Sequence, residues 1–361
     1  MLYIIVLILA LVTPQTPVIT VSNVDDLRPV AAVDFESLPP EIVIQTGWFN
    51  LSADGQRAAG VRADGGLVIW SLPDGALMDT FTVEATDGTP ATVLDARFDA
   101  SGERVATIHT ADGQTYLVAV HRIGGGTTVF DYPDGLGVPV RVWLDADTPE
   151  VIWIEAGPDY FDPEQNRHLV VRLTIPGSDV ESAEPLVIDS APEADSESFV
   201  RIGRIPAPLA ITSTADGVVR LWDLQTGDKT AEVVLDAVPV FGRVNETTGQ
   251  QLTWRDQTSQ ALHLLDFATG ENRLIAEIGG AYIQALMLTP AADVVLAVHI
   301  GDEPNVAAWD ASSGAFHELG RYREDCSRVP DMVQLSADGT TLVIGCDAGL
   351  EVWQVTAGQD R

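Results

Sequence analysis

One phrase occurs near both ends of this chain. LSADGQRAAGVRADGGLVIW at residues 51–70 returns as LSADGTTLVIGCDAGLEVW at residues 335–353. In the first copy, Asp54-Gly55 and Asp64-Gly65 separate short apolar runs. Asp tolerates unusual turn dihedrals and Gly accepts a positive φ, so each pair predicts a tight turn between antiparallel strands. The phrase therefore predicts a meander of three short strands rather than a helical unit.

The end of this phrase recurs along the chain as a bulky apolar residue, four other residues and a glycine. The copies are Trp70–Gly75, Trp222–Gly227, Leu265–Gly270, Trp309–Gly314 and Trp353–Gly358, with degenerate copies near Val118 and Val171. These seven anchors are 43 to 53 residues apart. A period of about 40 to 50 residues built from strands indicates propeller blades rather than a helical solenoid, so we expect seven blades.

Two copies carry a family resemblance. TSTADGVVRLWDLQTGD at 212–228 and AAWDASSG at 307–314 resemble WD-repeats, and the resemblance covers about residues 28 to 357. It implies an all-β fold, a seven-bladed β-propeller of four-stranded antiparallel blades, of the bacterial exported type. Gly-His dipeptides are missing from the repeats, and Trp-Asp pairs occur only at Trp222-Asp223 and Trp309-Asp310. These departures put the family's buried Asp-His-Ser-Trp network in doubt in most blades.

The two ends of the chain predict how the ring closes. The last copy leaves only six residues after Val355, too few for a fourth strand with its turn, whereas residues 28–35 form a lone extended run. In propellers of the resembled family, an N-terminal segment supplies the outer strand of the last blade. We therefore expect one domain over residues 24–358, closed by that strand, which also removes an open edge.

Residues 1–20 predict a signal peptide or an N-terminal membrane anchor. The apolar run from Leu2 to Val12 suits a signal-peptide core, while a full span needs about 20 residues. We expect an extracytoplasmic location: secreted, periplasmic or anchored at the outer face. In an oxidising compartment Cys326 and Cys346 are expected to form one disulfide that braces the last blade.

Charge and motif content limit the function classes. The net charge is -33, from 53 acidic and 20 basic residues, which disfavours nucleic-acid binding. None of the six histidines has a metal-binding spacing, and we expect no metal and no cofactor.

Candidate contact residues come from an insertion and from strand ends. Residues 157–168 interrupt the third blade and bring Asp159, Tyr160 and Phe161 together; Arg62, His109 and His299 lie at strand ends facing the same side. We expect a monomeric, non-enzymatic scaffold that binds a protein or peptide through its rim loops. The alternative is a propeller enzyme of the hydrolase, lyase or quinone-dependent dehydrogenase type. Its site would lie in the central funnel, where Arg62, His109, His299 and Asp302 would have to converge.

Overall fold

The chain folds into a seven-bladed β-propeller, as the repeat predicts. The computed structural model describes residues 16–39, 44–72, 74–145, 148–157, 169–176, 199–203, 209–214, 217–237, 239–245, 248–249, 251–256, 258–278, 282–300, 305–322, 332–346 and 348–356. Two short 3-10 helices, Val24–Asp26 and Phe35–Ser37, lie near the N-terminus. Within the described part of the chain, no helix has the length and apolar character needed to cross a membrane.

The strands follow one another as antiparallel meanders. In chain order they are β1 Leu27–Asp34, β2 Ile44–Leu51, β3 Arg57–Arg62, β4 Leu67–Ser71, β5 Leu77–Phe81, β6 Val83–Glu84, β7 Pro90–Phe98, β8 Arg104–Thr110, β9 Tyr116–Arg122, β10 Thr127–Asp131, β11 Val138–Leu144, β12 Val151–Gly157, β13 Leu169–Thr174, β14 Phe199–Gly203, β15 Leu209–Ser213, β16 Val218–Asp223, β17 Lys229–Val234, β18 Pro239–Val244, β19 Gln251–Asp256, β20 Leu262–Asp266, β21 Glu271–Ala276, β22 Tyr282–Leu288, β23 Val294–Ile300, β24 Asn305–Asp310, β25 Phe316–Arg321, β26 Met332–Leu335, β27 Thr341–Gly345 and β28 Gly349–Val355.

Blades 1 to 7 begin at the inner strands β2, β7, β11, β14, β18, β22 and β26. Blades 1, 4, 5, 6 and 7 have the predicted four strands. Blade 2 has five, because the short β6 pairs with β7, and blade 3 has three in the described residues. We call the face with the second-to-third-strand and blade-to-blade connections the upper face, and the opposite one the lower face.

The predicted closure by an N-terminal strand is confirmed. β1 pairs with β28 from Leu27↔Val355 to Asp34↔Gly349, so blade 7 combines both ends of the chain. Contacts with the propeller begin before residue 24: Ile19 is fully buried, and its N–H donates to the Gly339 carbonyl at 2.8 Å. Residues 1–15, with most of the predicted signal peptide or anchor, lie outside the described residues.

Each of the seven predicted anchors lies on the third strand of its blade. The tryptophans among them serve the core: Trp70 and Trp353 are at most 1% exposed. Their indole N–H groups do not share one network. Trp222 donates to Thr212 Oγ1 at 2.9 Å and Trp353 donates to Glu351 at 2.7 Å, while Trp70 Nε1 has no hydrogen-bond partner in the described residues. Packing between blades therefore positions these rings, and their polar contacts differ from blade to blade.

In blades 1, 4, 5 and 6 the glycine that ends the copy closes the turn between the third and fourth strands. In blade 6, Asp310 accepts hydrogen bonds from the N–H groups of Ser312 and Ser313, and Gly314 donates its N–H to the Asp310 carbonyl at 2.8 Å. Gly314 has φ 73°, a conformation that glycine adopts without a Cβ clash. Because the Ser312 hydroxyl and these N–H groups stabilise its charged form, the pKa of Asp310 lies far below its ordinary value.

Turns on the lower face bind each other from blade to blade. Arg57 Nη1 donates to the Gly102 carbonyl at 2.7 Å and Arg104 Nη1 to the Pro149 carbonyl at 2.8 Å. Each acceptor lies 45 residues beyond its donor, the length of one repeat. The lower-face turns of blades 1, 2 and 3 are therefore linked by arginine side chains.

One lower-face turn carries an alanine where other blades use glycine. Ala292 has φ 56°, whereas Gly55, Gly102 and Gly339 occupy the same turn position with φ 65° to 73°. A left-handed conformation costs a non-glycine residue about 1–2 kcal/mol, partly offset by the extra freedom that glycine has in the unfolded chain.

We expect Ala292→Gly to raise the free energy of unfolding by about 0.5–1 kcal/mol, measured by urea denaturation. Gly339→Ala is the matched opposite, because its new Cβ would lie 2.5 Å from Pro290 Cδ. Equal midpoints for wild type and Ala292→Gly would contradict the prediction.

Candidate functional site

The inner strands around the central channel are bulged. The pairing register shifts by one residue between Val93 and Asp95 in β7, and between Pro139 and Arg141 in β11. The extra residues, Leu94 and Val140, are 40% and 43% exposed although they are aliphatic. Bulges re-aim side chains and are common at barrel rims and binding sites. They place two exposed apolar side chains on neighbouring inner strands.

The channel wall is held together by polar side chains that reach the next blade. Gln334 of blade 7 accepts from the Leu51 N–H at 3.0 Å and donates to the Phe49 carbonyl at 2.8 Å in blade 1. Between blades 2 and 3, Asp95 accepts from the Val142 N–H at 3.0 Å. An inner strand has a free edge of backbone groups, and these contacts satisfy part of it. At these two blade junctions the inner strands are therefore joined by side-chain hydrogen bonds.

Asp95 also orients the guanidinium group of Arg97 beside the channel. Asp95 is 3% exposed, and its carboxylate forms an ion pair with Arg97 Nε at 3.4 Å. The Arg97 guanidinium stands 5.8 Å from the centre of the Trp143 ring on the next inner strand, within cation–π range. Burial raises the pKa of Asp95, while the positive charge of Arg97 opposes that rise.

A second arginine lies one blade further on. Arg141 Nη1 bonds the nearly buried carboxylate of Glu155 at 2.9 Å, and the Arg141 side chain is 30% exposed. Both arginines are thus positioned by buried carboxylates, and their side chains are 21% and 30% exposed. Neither arginine was among the site residues predicted from the sequence. The sequence pattern that could have indicated them is an arginine in the first strand of successive repeats.

The predicted contact residues are not assembled in one place by the described residues. Arg62 ends β3 at the upper face and forms an ion pair with Asp64 in its own turn at 2.5 Å. His299 lies in β23, but its side chain is outside the described residues, as are Asp159, Tyr160, Phe161 and Asp302. Cys346 is buried after β27 and Cys326 lies outside the described residues, so their bridge stays a prediction.

His109 does not lie on the surface where we placed a partner contact. Its side chain is 1% exposed, and Nε2 shares the Thr107 hydroxyl with His121 at 2.7 and 3.0 Å. The His121 ring stacks on Phe81 of blade 1 with ring centres 4.5 Å apart. Burial lowers the pKa of His109 to about 4 and that of His121 to about 3, so both rings are neutral at physiological pH. This pair belongs to the core between blades 1 and 2, because the side chain points into the blade junction rather than out of it.

Comparisons with known proteins agree with the architecture. No protein-family model and no curated protein matches the chain. Among solved structures, it is similar to the β-propeller domain of Cps50 (Swd1) from Myceliophteria thermophila, with a TM-score of 0.63 and 12% identity over 91% of this chain and 100% of that one. It is also similar to a chain of the mitotic checkpoint complex, with a TM-score of 0.60 and 15% identity over 92% and 96%. Both neighbours are WD40 β-propellers, which supports the implied fold; identities this low carry no further argument.

Proposed function

We propose that this protein is a non-enzymatic interaction scaffold that binds a protein or peptide partner at the upper face and channel mouth. The observation that carries the proposal is the exposed pair Leu94 and Val140, held by bulges on neighbouring inner strands. Exposed apolar side chains on a rigid wall are suited to receive an apolar group of a partner.

The predicted loop contacts belong to the same proposal. A Cβ on Gly157, the last residue of β12, would lie 3.2 Å from Val140 Cγ2, so this residue packs directly against Val140. The connection that carries Asp159, Tyr160 and Phe161 starts at Gly157. Asp159, Tyr160 and Phe161 themselves lie outside the described residues and stay candidate contacts of the proposal.

The enzyme alternative is less well supported by the channel. It requires titratable side chains that are available to a substrate. The described carboxylates beside the channel, Asp95 and Glu155, are instead buried and paired with Arg97 and Arg141. Such pairs position charges and are not poised for proton transfer.

Site-specific photo-crosslinking tests the scaffold proposal. A photoreactive amino acid at position 94 is expected to crosslink a protein partner in cells of the native host. The same amino acid at position 129, on the outer strand β10, is the matched control because Val129 is 43% exposed but lies far from the channel. Equal crosslinking at both positions, or none at 94, would argue against the proposed face.

The proposal includes an extracytoplasmic location, which rests on the apolar run Leu2–Val12. Lys229 is the only lysine and its side chain is 43% exposed, so it is the only side-chain amine available for labelling. We expect a membrane-impermeant amine reagent to modify Lys229 in intact cells, with Lys229→Arg as the control for labelling elsewhere. Modification only after cell lysis would overturn the location.

A further inference from the structure

Blade 2 carries an extra hairpin at the channel mouth, residues 83–91, which we call the blade 2 hairpin. Its two strands pair as Val83↔Ala91 and Glu84↔Pro90. Within the described residues, no other blade has a strand on the channel side of its inner strand. Val83 and Ala91 are each 3% exposed and pack in one cluster with residues of β9. The hairpin is therefore attached to its blade by apolar packing, and it lies on the upper face because it belongs to the connection from blade 1.

The turn of this hairpin presents negative charge to solvent. The Ala85 N–H donates to the Thr89 carbonyl at 2.8 Å, and Asp87 accepts from the Thr89 N–H at 2.9 Å. Glu84 and Asp87 are exposed, as is Asp112 in the next upper-face turn of the same blade. Hydrogen bonds from Thr89 lower the pKa of Asp87, and the negative charge of Asp112 opposes that shift. The carboxylates of Asp87 and Asp112 are therefore close enough to repel each other.

The arginines near this part of the upper face and channel are already paired. Each described one is bound by a carboxylate: Arg62 by Asp64, Arg97 by Asp95 and Arg141 by Glu155. Glu84, Asp87 and Asp112, by contrast, form no ion pair within the described part of the chain. The charge that remains uncompensated around the exposed Leu94 is therefore negative.

We propose that the blade 2 hairpin and Leu94 form a docking site for a basic, extended segment of a protein partner. This inference rests on the proposed scaffold function and specifies the chemistry of the ligand. Leu94 lies four residues beyond Pro90, which is about 13 Å along the strand at about 3.3 Å per residue. A segment with Lys or Arg at the hairpin and an apolar side chain about four residues away matches this spacing. Protein interfaces commonly surround an apolar centre with a charged rim in this way.

The free edge of β6 favours an extended ligand. Within the described residues β6 pairs with β7 alone, so its channel-side backbone groups have no strand partner. Peptides bind such edges as an added strand, with backbone hydrogen bonds for affinity and side chains for specificity. The net charge of -33 also attracts a basic segment and speeds its association.

Titration calorimetry of the full chain with the hexapeptide Lys-Arg-Gly-Gly-Leu-Val tests the site. Glu-Glu-Gly-Gly-Leu-Val is the control for charge, Lys-Arg-Gly-Gly-Gly-Ser is the control for the apolar residue, and spermidine distinguishes a free polyamine from a peptide. We expect the first peptide to bind best, and to bind more tightly as the salt concentration is lowered. Leu94→Ser is expected to weaken it to the level of the peptide without leucine.

A pair of charge variants tests the hairpin itself. We expect Asp87→Asn/Asp112→Asn to weaken the first peptide about fivefold. Asparagine keeps the oxygen that accepts backbone N–H groups in both turns, so both turns should persist. Glu103→Gln/Asp228→Asn removes the same number of exposed carboxylates from the lower face and is expected to leave binding unchanged.

Three results would overturn the inference: no binding of the first peptide up to millimolar concentration, equal loss with the lower-face variant, or tighter binding of spermidine than of the peptide. Photo-crosslinking separates this failure from a failure of the scaffold function. If a partner crosslinks at position 94 and the yield is the same in Asp87→Asn/Asp112→Asn, the scaffold function stands and the basic-segment site is wrong.

Discussion

A chain that begins at residue 36 is expected not to close its ring and not to remain folded, whereas a chain that begins at residue 16 should be fully stable. The shorter chain lacks β1 and leaves the outer edge of β28 unpaired. It also loses the buried side chains of Ile19, Val24, Leu27 and Val33. Burying each such aliphatic side chain stabilises a protein by about 1.5–3 kcal/mol. Their sum is comparable to the whole stability of a typical domain, about 5–15 kcal/mol.

Thermal denaturation followed by circular dichroism, with size-exclusion chromatography, measures this effect. Val30→Ser is the matched control, since Val30 lies on the same strand but is 41% exposed, and it should melt close to wild type. A synthetic peptide of residues 16–35 added in trans is expected to restore a cooperative transition to the shortened chain, because binding to the native state alone stabilises it. If the shortened chain melts at the wild-type temperature without the peptide, the ring does not depend on β1.

Local chemistry explains why so much of this architecture could be predicted. Gly55, Gly65, Gly217 and Gly339 all have positive φ, as their Asp-Gly turns require. The anchors from Trp70 to Trp353 recur because each blade repeats the same third strand. Such features depend on a few neighbouring residues, and the sevenfold repeat provides several examples of each one.

The candidate site depends on residues that are distant in the chain. Asp95 meets the Val142 N–H, 47 residues away, and the exposure of Leu94 comes from a one-residue bulge in the register with β8. Neither a bulge nor a cross-blade contact leaves a local pattern, because each arises only when two strands pair. His109 was misplaced for the same reason: its strand position is at the upper end of β8, but its ring turns toward blade 1.

The burial of His109 and of its neighbour His121 predicts that the protein loses stability in mild acid. The unfolded chain binds a proton at each histidine near pH 6.5, whereas burial lowers the folded-state pKa of His109 to about 4 and of His121 to about 3. Below pH 6.5 the unfolded state therefore holds more protons than the native state, and the free energy of unfolding falls as the pH falls. Each histidine contributes a loss of about 1.4 kcal/mol per pH unit until its folded-state pKa is reached.

Urea denaturation of wild type and His109→Gln/His121→Gln at intervals from pH 7.5 to pH 4.5 measures this slope. The double variant is expected to be less stable at pH 7.5, because it loses the stacking on Phe81, but its stability should fall less steeply in acid.

Wild type and the double variant have to be compared because Asp95 has the opposite effect on stability. Its raised pKa means that the native state takes up a proton before the unfolded state does, which adds stability as the pH falls. Thr107→Val removes the hydroxyl that both rings share yet leaves them buried, so it should be destabilising at every pH with the wild-type slope. Parallel curves for wild type and the double variant would show that the two rings bind protons as readily in the native state as in the unfolded chain, and burial between blades 1 and 2 would then not lower their pKa values.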